Sequence, residues 1–189
     1  MSADLHPLLR GRFSPLHFRP EHDLTDADVE VLLEAARWAP SAGNSQPWAF
    51  VVARRGTPEH AVLVDRLAPS ARRWAPQASA LIVDIAHRTV GDSDVSYSEF
   101  ADYDLGQAVA HLTLQAAAMG LACRQFRAFD AEGVGADLLL AAGWEVVTMA
   151  AVGMPAHEVP ADRERRSVAD LTSAPRRSDT GATARPSDR

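Results

Sequence analysis

Lysine is missing from this chain: all 19 basic residues among its 189 are arginine. Without a lysine amine, Schiff-base chemistry, pyridoxal phosphate attachment and an ordinary P-loop are excluded. Cysteine occurs once, at Cys123, so neither an intrachain disulfide nor an all-cysteine metal site can form. No stretch approaches the roughly 18 apolar residues of a membrane span, and no apolar leader is visible near the N-terminus. The expected location is cytoplasmic. A net charge of −6 argues against a general binder of nucleic acid or of anionic membranes. The chain has no glycine-rich dinucleotide loop, no His-Glu-x-x-His spacing and no nucleophile–base pair, and its 7 histidines are scattered. This pattern predicts neither a metal site nor a side-chain catalyst.

What is there is an ordinary soluble composition, 47% hydrophobic and 23% charged, in a length that suits one domain with a sizeable core. Residues 1–23 read as irregular, interrupted by Pro7, Pro15 and Pro20. Thr25-x-x-Asp28 resembles a capping box with Leu24 and Val29 as its staple, and Val29, Leu32, Leu33 and Ala36 line one helical face. Pro40 ends that helix. Strands are expected at 48–53, 80–86 and 146–152, with a short extended stretch at 121–126. Thr57-Pro58 opens a helix to about Leu67, and Asp130 caps another to about Ala142. The longest helix is expected from about Tyr103 to Met119. Along it Leu105, Ala108, Val109, Leu112, Ala116 and Met119 recur at helical spacing, and Gly120 supplies the stop. Residues 87–102 read as a polar, turn-rich loop. From about Ser173 the chain lacks a large apolar residue, so 173–189 reads as a disordered tail. Helices mixed with few strands predict an α+β class.

Four groups of residues stand out as candidate chemistry. Arg12-Phe13-Ser14 places a guanidinium fork and a hydroxyl on one side of an extended backbone, which suits a phosphate or simply a solvated arginine and a turn serine. The loop from Ala39 to Trp48 packs two prolines, two hydroxyls and two carboxamides into a segment that cannot be helical. It suits a planar, polar-edged ligand; an ordered turn with Gly43 and Asn44 in left-handed geometry fits the same residues. Val152-Gly153-Met154-Pro155 ends the last strand, and Arg163-Glu164-Arg165-Arg166 follows as a basic cluster that by itself reads as a solvated face. Leu121–Arg127 follows the long helix, and Cys123 within it reads as a small buried apolar residue rather than a redox centre. Tyr97, Phe100 and Tyr103 are either stacking walls for a substrate or anchors of their loop.

The run Ala-Pro-Ser-x-x-Asn-x-Gln-Pro-Trp resembles the flavin-contacting loop of the FMN-dependent nitroreductase family. Arg12-x-Ser14, Gly153-x-Pro155 and Arg163-x-Arg165 are similar to further elements of that family, as are Asp104-Leu105-Gly106-Gln107-Ala108 and Leu114-Gln115-Ala116 with Gly120-Leu121. The resemblance implies a nitroreductase-like fold, a central mostly antiparallel sheet flanked by helices in an intertwined homodimer. Residues 1–172 would form the FMN-binding domain, with 156–171 wrapping the partner. Arg12, Phe13 and Ser14 would hold the phosphate and ribityl chain. Leu16 stands where the family usually has a basic residue. Pro40, Ser41, Ala42 and Asn44 would approach the flavin from the opposite subunit, with Gln46 nearby. Arg72 falls where an asparagine often meets the pyrimidine edge. The backbone leading to Phe126 would pass beside the ring, and Arg163 and Arg165 would reach the phosphate. The implied activity is ping-pong hydride transfer from NAD(P)H through FMN to a nitroaromatic, quinone or related small acceptor, with Tyr97, Phe100 and Tyr103 as pocket walls. An FMN store, and another flavin reaction such as dehalogenation or flavin cleavage, are the alternatives.

Overall fold

Two apolar strands set the centre of the fold, because neither leaves a face for solvent. β2 (Ala80–His87) is buried along nearly its whole length and β4 (Trp144–Gly153) along its second half, the pattern of strands covered on both sides. They pair with each other, and β1 (Trp48–Arg54) and β3 (Ala122–Phe126) flank them in the order β1-β2-β4-β3, every pair antiparallel. The sheet belongs to a computed structural model that describes residues 5–88 and 98–172. The chain divides into two units, residues 1–159 and residues 160–189.

Helices cover both faces of the sheet. On one, Leu32 and Ala36 of α2 (Asp26–Arg37) and Ala108, Leu112 and Ala116 of α5 (Ser98–Ala118) pack on Ala80, Ile82, Ala150 and Val152. The small side chains let α5 lie close to the strands. On the other face, Phe18, Leu63 and Leu67 meet Leu81, Val83, Ile85 and Met149, beneath α3 (Pro58–Asp65), α4 (Pro69–Arg72) and α6 (Ala131–Asp137). The capping box of α2 forms as its sequence predicts. The Thr25 N–H donates to Asp28 Oδ2 at 2.9 Å and the Asp28 N–H to Thr25 Oγ1 at 3.2 Å, an arrangement worth about 1 kcal/mol.

Three expectations need correction. The segment read as irregular contains one helical turn, α1 (Pro7–Gly11). Pro7 starts it rather than breaking it, since the first helical residue has no N–H to place. The central helix begins at Ser98 instead of Tyr103. Ala101 lies one turn before Leu105 and packs with it against Ala86 and Val109, so the apolar stripe continues into the segment read as loop. α6 stops at Asp137 instead of about Ala142, because Leu139 takes a left-handed φ of 52°. The proposed loop residue Tyr97 and the tail 173–189 lie outside the described residues.

In the second unit, α7 (Val168–Thr172) has its own capping box, with Ser167 and Asp170 exchanging backbone–side-chain bonds at 3.1 and 3.2 Å. Among the described residues, no helix is long and apolar enough to cross a membrane.

Candidate functional site

After α1 the chain runs without helix or strand, bending at Leu16, until Phe18 bridges to Pro155 beyond β4. This short segment borders two clefts. The first, about 570 Å³, includes Arg12, Phe13, Thr113, Cys123, Pro155 and Glu158 in its lining. The second, about 370 Å³, includes Leu16, Arg73, Trp74, Arg124 and Phe126. The structure therefore gathers Arg12 and Phe13 at one cleft and Leu16 and Phe126 at the next, as parts of one continuous strip. Ser14 lies between the two groups, exposed.

The second cleft has an aromatic frame. Trp74 meets Phe126 edge-to-face at 5.0 Å and stacks on Phe18 at 6.4 Å. Arg124 lies over the Trp74 ring at 4.1 Å and donates from Nη1 to the Pro15 carbonyl at 3.0 Å. Among the described residues no carboxylate lines this cleft, although the whole chain carries an excess of acids. Arg72 does not line it. Its guanidinium turns to the Asp65 carbonyl at 2.7 Å, while the neighbouring Ala71 and Arg73 face the cleft.

The loop between α2 and β1 is held in an unusual shape. Gly43, Asn44 and Gln46 all take left-handed backbone, at φ 58°, 55° and 50°. Asp104, buried on α5, accepts from the Ala42 N–H at 2.9 Å and from Gln107 Nε2 at 3.3 Å. Ser41 Oγ accepts from the Gln46 N–H at 2.9 Å. Pro40, Asn44 and Gln46 are exposed, Ser41 and Ala42 half-buried, and none of the five lines either cleft of its own chain. Asp104 holds this loop in a way that sequence reasoning misses, since it enters there only as one letter of a helix match. The available signal is an acid on the buried face of an apolar helix, which needs donors brought to it.

The remaining candidates lie elsewhere. Phe100 and Tyr103 stand on the first turns of α5 rather than on a loop, 51% and 67% exposed. Arg163 and Arg165 belong to the second unit, where Arg165 Nη1 donates to the Glu164 carbonyl at 2.6 Å. Cys123 is buried, as its sequence context predicts, and burial pushes its thiol up to about 12. Beneath α5 lies a second buried acid, Asp84 of β2. It accepts from Thr148 Oγ1 at 2.7 Å through Oδ2, while Oδ1 has no partner. Burial raises its carboxyl to about 7.

Comparison with known proteins agrees with the fold. The Nitroreductase family profile matches residues 9–100. The 5,6-dimethylbenzimidazole synthase of Rhodospirillum rubrum is 29% identical over 178 residues, covering 82% of this chain and 84% of that enzyme. A solved oxidoreductase containing FMN superposes with a TM-score of 0.84 at 26% identity, covering 94% of this chain and 95% of its own. A protein from Desulfovibrio desulfuricans solved in complex with FMN gives 0.75 at 27% identity, covering 91% and 99%. The antiparallel sheet under a central helix and these likenesses lead to one result: the chain has the nitroreductase fold and resembles the nitroreductase family.

Proposed function

We propose that this protein is a homodimeric, FMN-dependent oxidoreductase that uses NAD(P)H to reduce nitroaromatic, quinone or related small acceptors. The observation that carries the reading is the acid-free cleft walled by Trp74, Phe126, Arg73 and Arg124, beside the Arg12–Leu16 strip, on a nitroreductase fold. A flat heteroaromatic ring with a polar edge matches aromatic walls and guanidinium donors. Arg12 and Ser14 take the phosphate and ribityl end, with Arg163 and Arg165 adding charge. At about 1.5–3 kcal/mol for each charge-assisted hydrogen bond, two or three such contacts supply much of a submicromolar affinity. Leu16 and Phe126 flank the ring. Pro40, Ser41, Ala42, Asn44 and Gln46 come from the partner subunit, on a loop whose shape Asp104 has already fixed. Arg72, turned to Asp65, serves the ring's edge only through the position of its neighbours.

FMN, when bound, would supply the two-electron chemistry that links NAD(P)H to the acceptor. The protein orients the ring, sets positive charge beside it and leaves one face open. That single face serves donor and acceptor in turn, which makes the kinetics ping-pong. Phe100 and Tyr103, exposed one turn apart on α5, offer the acceptor a stacking surface.

The test is the colour of the purified protein after incubation with FMN and gel filtration, followed by NADH or NADPH under argon. A yellow protein that bleaches, then recolours on adding a quinone, is the expected result. A protein that stays colourless with excess FMN overturns the reading, and a bound flavin that NAD(P)H leaves untouched reduces it to storage. The likeness to 5,6-dimethylbenzimidazole synthase favours a second reading, a different flavin reaction on the same fold. Under it, aerobic turnover consumes the flavin itself, and air fails to restore the lost absorbance.

A further inference from the structure

Arg124 is placed as a ligand-binding cation. The half-buried arginines of this chain usually meet carboxylates: Arg55 pairs with Asp23, Arg66 with Asp130 and Asp137, and Arg88 with Asp102 and Glu145. Arg124 is half-buried too, yet among the described residues it has no carboxylate partner. One of its nitrogens donates to the Pro15 carbonyl and its plane rests on Trp74, which is itself locked against Phe126 and Phe18. The rest of its N–H fork donates to no described acceptor and lines the acid-free cleft. A guanidinium withdrawn from water without a counter-charge is costly unless something else supplies electron density. Its position is also fixed in advance. β3 is an edge strand, and the two contacts hold the side chain where a ligand beside that edge must meet it.

We propose that Arg124 binds the electron-rich edge of the flavin ring and favours its reduced, negatively charged form over the oxidised one. The proposal rests on the flavin reading of this cleft. It assigns to β3 the cation that Leu16 does not provide from the strip opposite, since both residues line the same cleft. The guanidinium acts by binding and by its charge; it transfers no proton and no electron.

The experiment compares apoprotein of the wild type, Arg124→Leu and Arg124→Gln. Each is titrated with FMN and with riboflavin, and the midpoint potential of the bound flavin is measured by spectroelectrochemistry. Loss of one charge-assisted contact predicts about tenfold weaker binding of both ligands in both variants. The potential should fall by about 30 mV for each tenfold by which the reduced form loses more affinity than the oxidised form. Arg124→Gln removes the charge but keeps a polar side chain beside Trp74, so it carries the same expectation if the leucine variant does not fold. A folded variant with wild-type affinity and potential overturns the proposal. Weaker FMN binding with unchanged riboflavin binding also overturns it, by moving the contact from ring to phosphate. Wild-type apoprotein that takes up neither ligand removes the flavin reading itself, a result distinct from either.

Discussion

Replacing Asp84 by asparagine should make the protein more stable at alkaline pH and flatten its pH dependence. Asp84 sits on β2 opposite Phe50 of β1 and Thr148 of β4. It lies between Ile82 and Ala86, which pack beneath α5 against Leu112 and Leu105. Burial is the larger influence and favours the neutral acid; the Thr148 hydroxyl opposes it but does not win, leaving a folded-state value of about 7 against 3.8 ordinarily. The sign follows from proton counting. Between those two values the folded protein holds a proton that the unfolded chain has lost, so stability falls as pH rises. The full interval is worth about 4 kcal/mol at about 1.4 kcal/mol per tenfold change, and roughly 2–3 kcal/mol of it falls between pH 5 and 8. Asparagine keeps the acceptor for Thr148 and cannot ionise. Urea denaturation at fixed protein concentration, at pH 5, 6, 7 and 8, gives the difference between variant and wild type. That difference should grow by roughly 2–3 kcal/mol in favour of the Asp84→Asn variant across the series. Parallel curves would refute the argument, because they would mean the acid is already charged, or solvated, in the native protein.

Other expectations can be checked with simpler assays. Asp104→Ala leaves the Ala42 N–H and Gln107 without their acceptor, which should cost about 1–3 kcal/mol in thermal or urea denaturation and weaken FMN retention. Cys123 should resist thiol reagents at pH 8 in the native state and react at once after denaturation, since it is buried and its thiol stays protonated. Arg165→Ala should lower FMN occupancy after extensive dialysis while leaving the melting temperature nearly unchanged, because its guanidinium bonds to the carbonyl of the adjacent Glu164; unchanged occupancy removes it from the phosphate site.

Local chemistry is what the sequence makes legible. The Thr25–Asp28 box, the Thr57 cap and the Asp130 cap are spelled within four residues each, and all three form. The strands stand out as apolar runs because both faces of the sheet are covered. Where a local signal has two meanings, the sequence misleads. Pro7 looks like a breaker, although at a first helical position proline is a starter. Ser98–Asp102 looks like loop because Ala101 is the one buried side chain among its described ones, Phe100 and Asp102 being exposed. The site divides in the same way. The left-handed geometry of Gly43 and Asn44 can be anticipated from residue type, but that of Gln46 cannot. The roles of Asp104 and Arg124 depend on what the fold brings to them, a backbone N–H from 62 positions away in one case and a carbonyl 109 positions away in the other. No window along the chain contains either pair.

Gln46 carries a consequence for any attempt to improve this protein. It keeps a backbone twist that glycine would adopt freely, at an energetic penalty on the order of 1 kcal/mol. A population selected only for heat tolerance would therefore drift toward glycine at that position. Its members would survive higher temperatures with a slacker bend and a poorer grip, trading a rigid presentation for longevity.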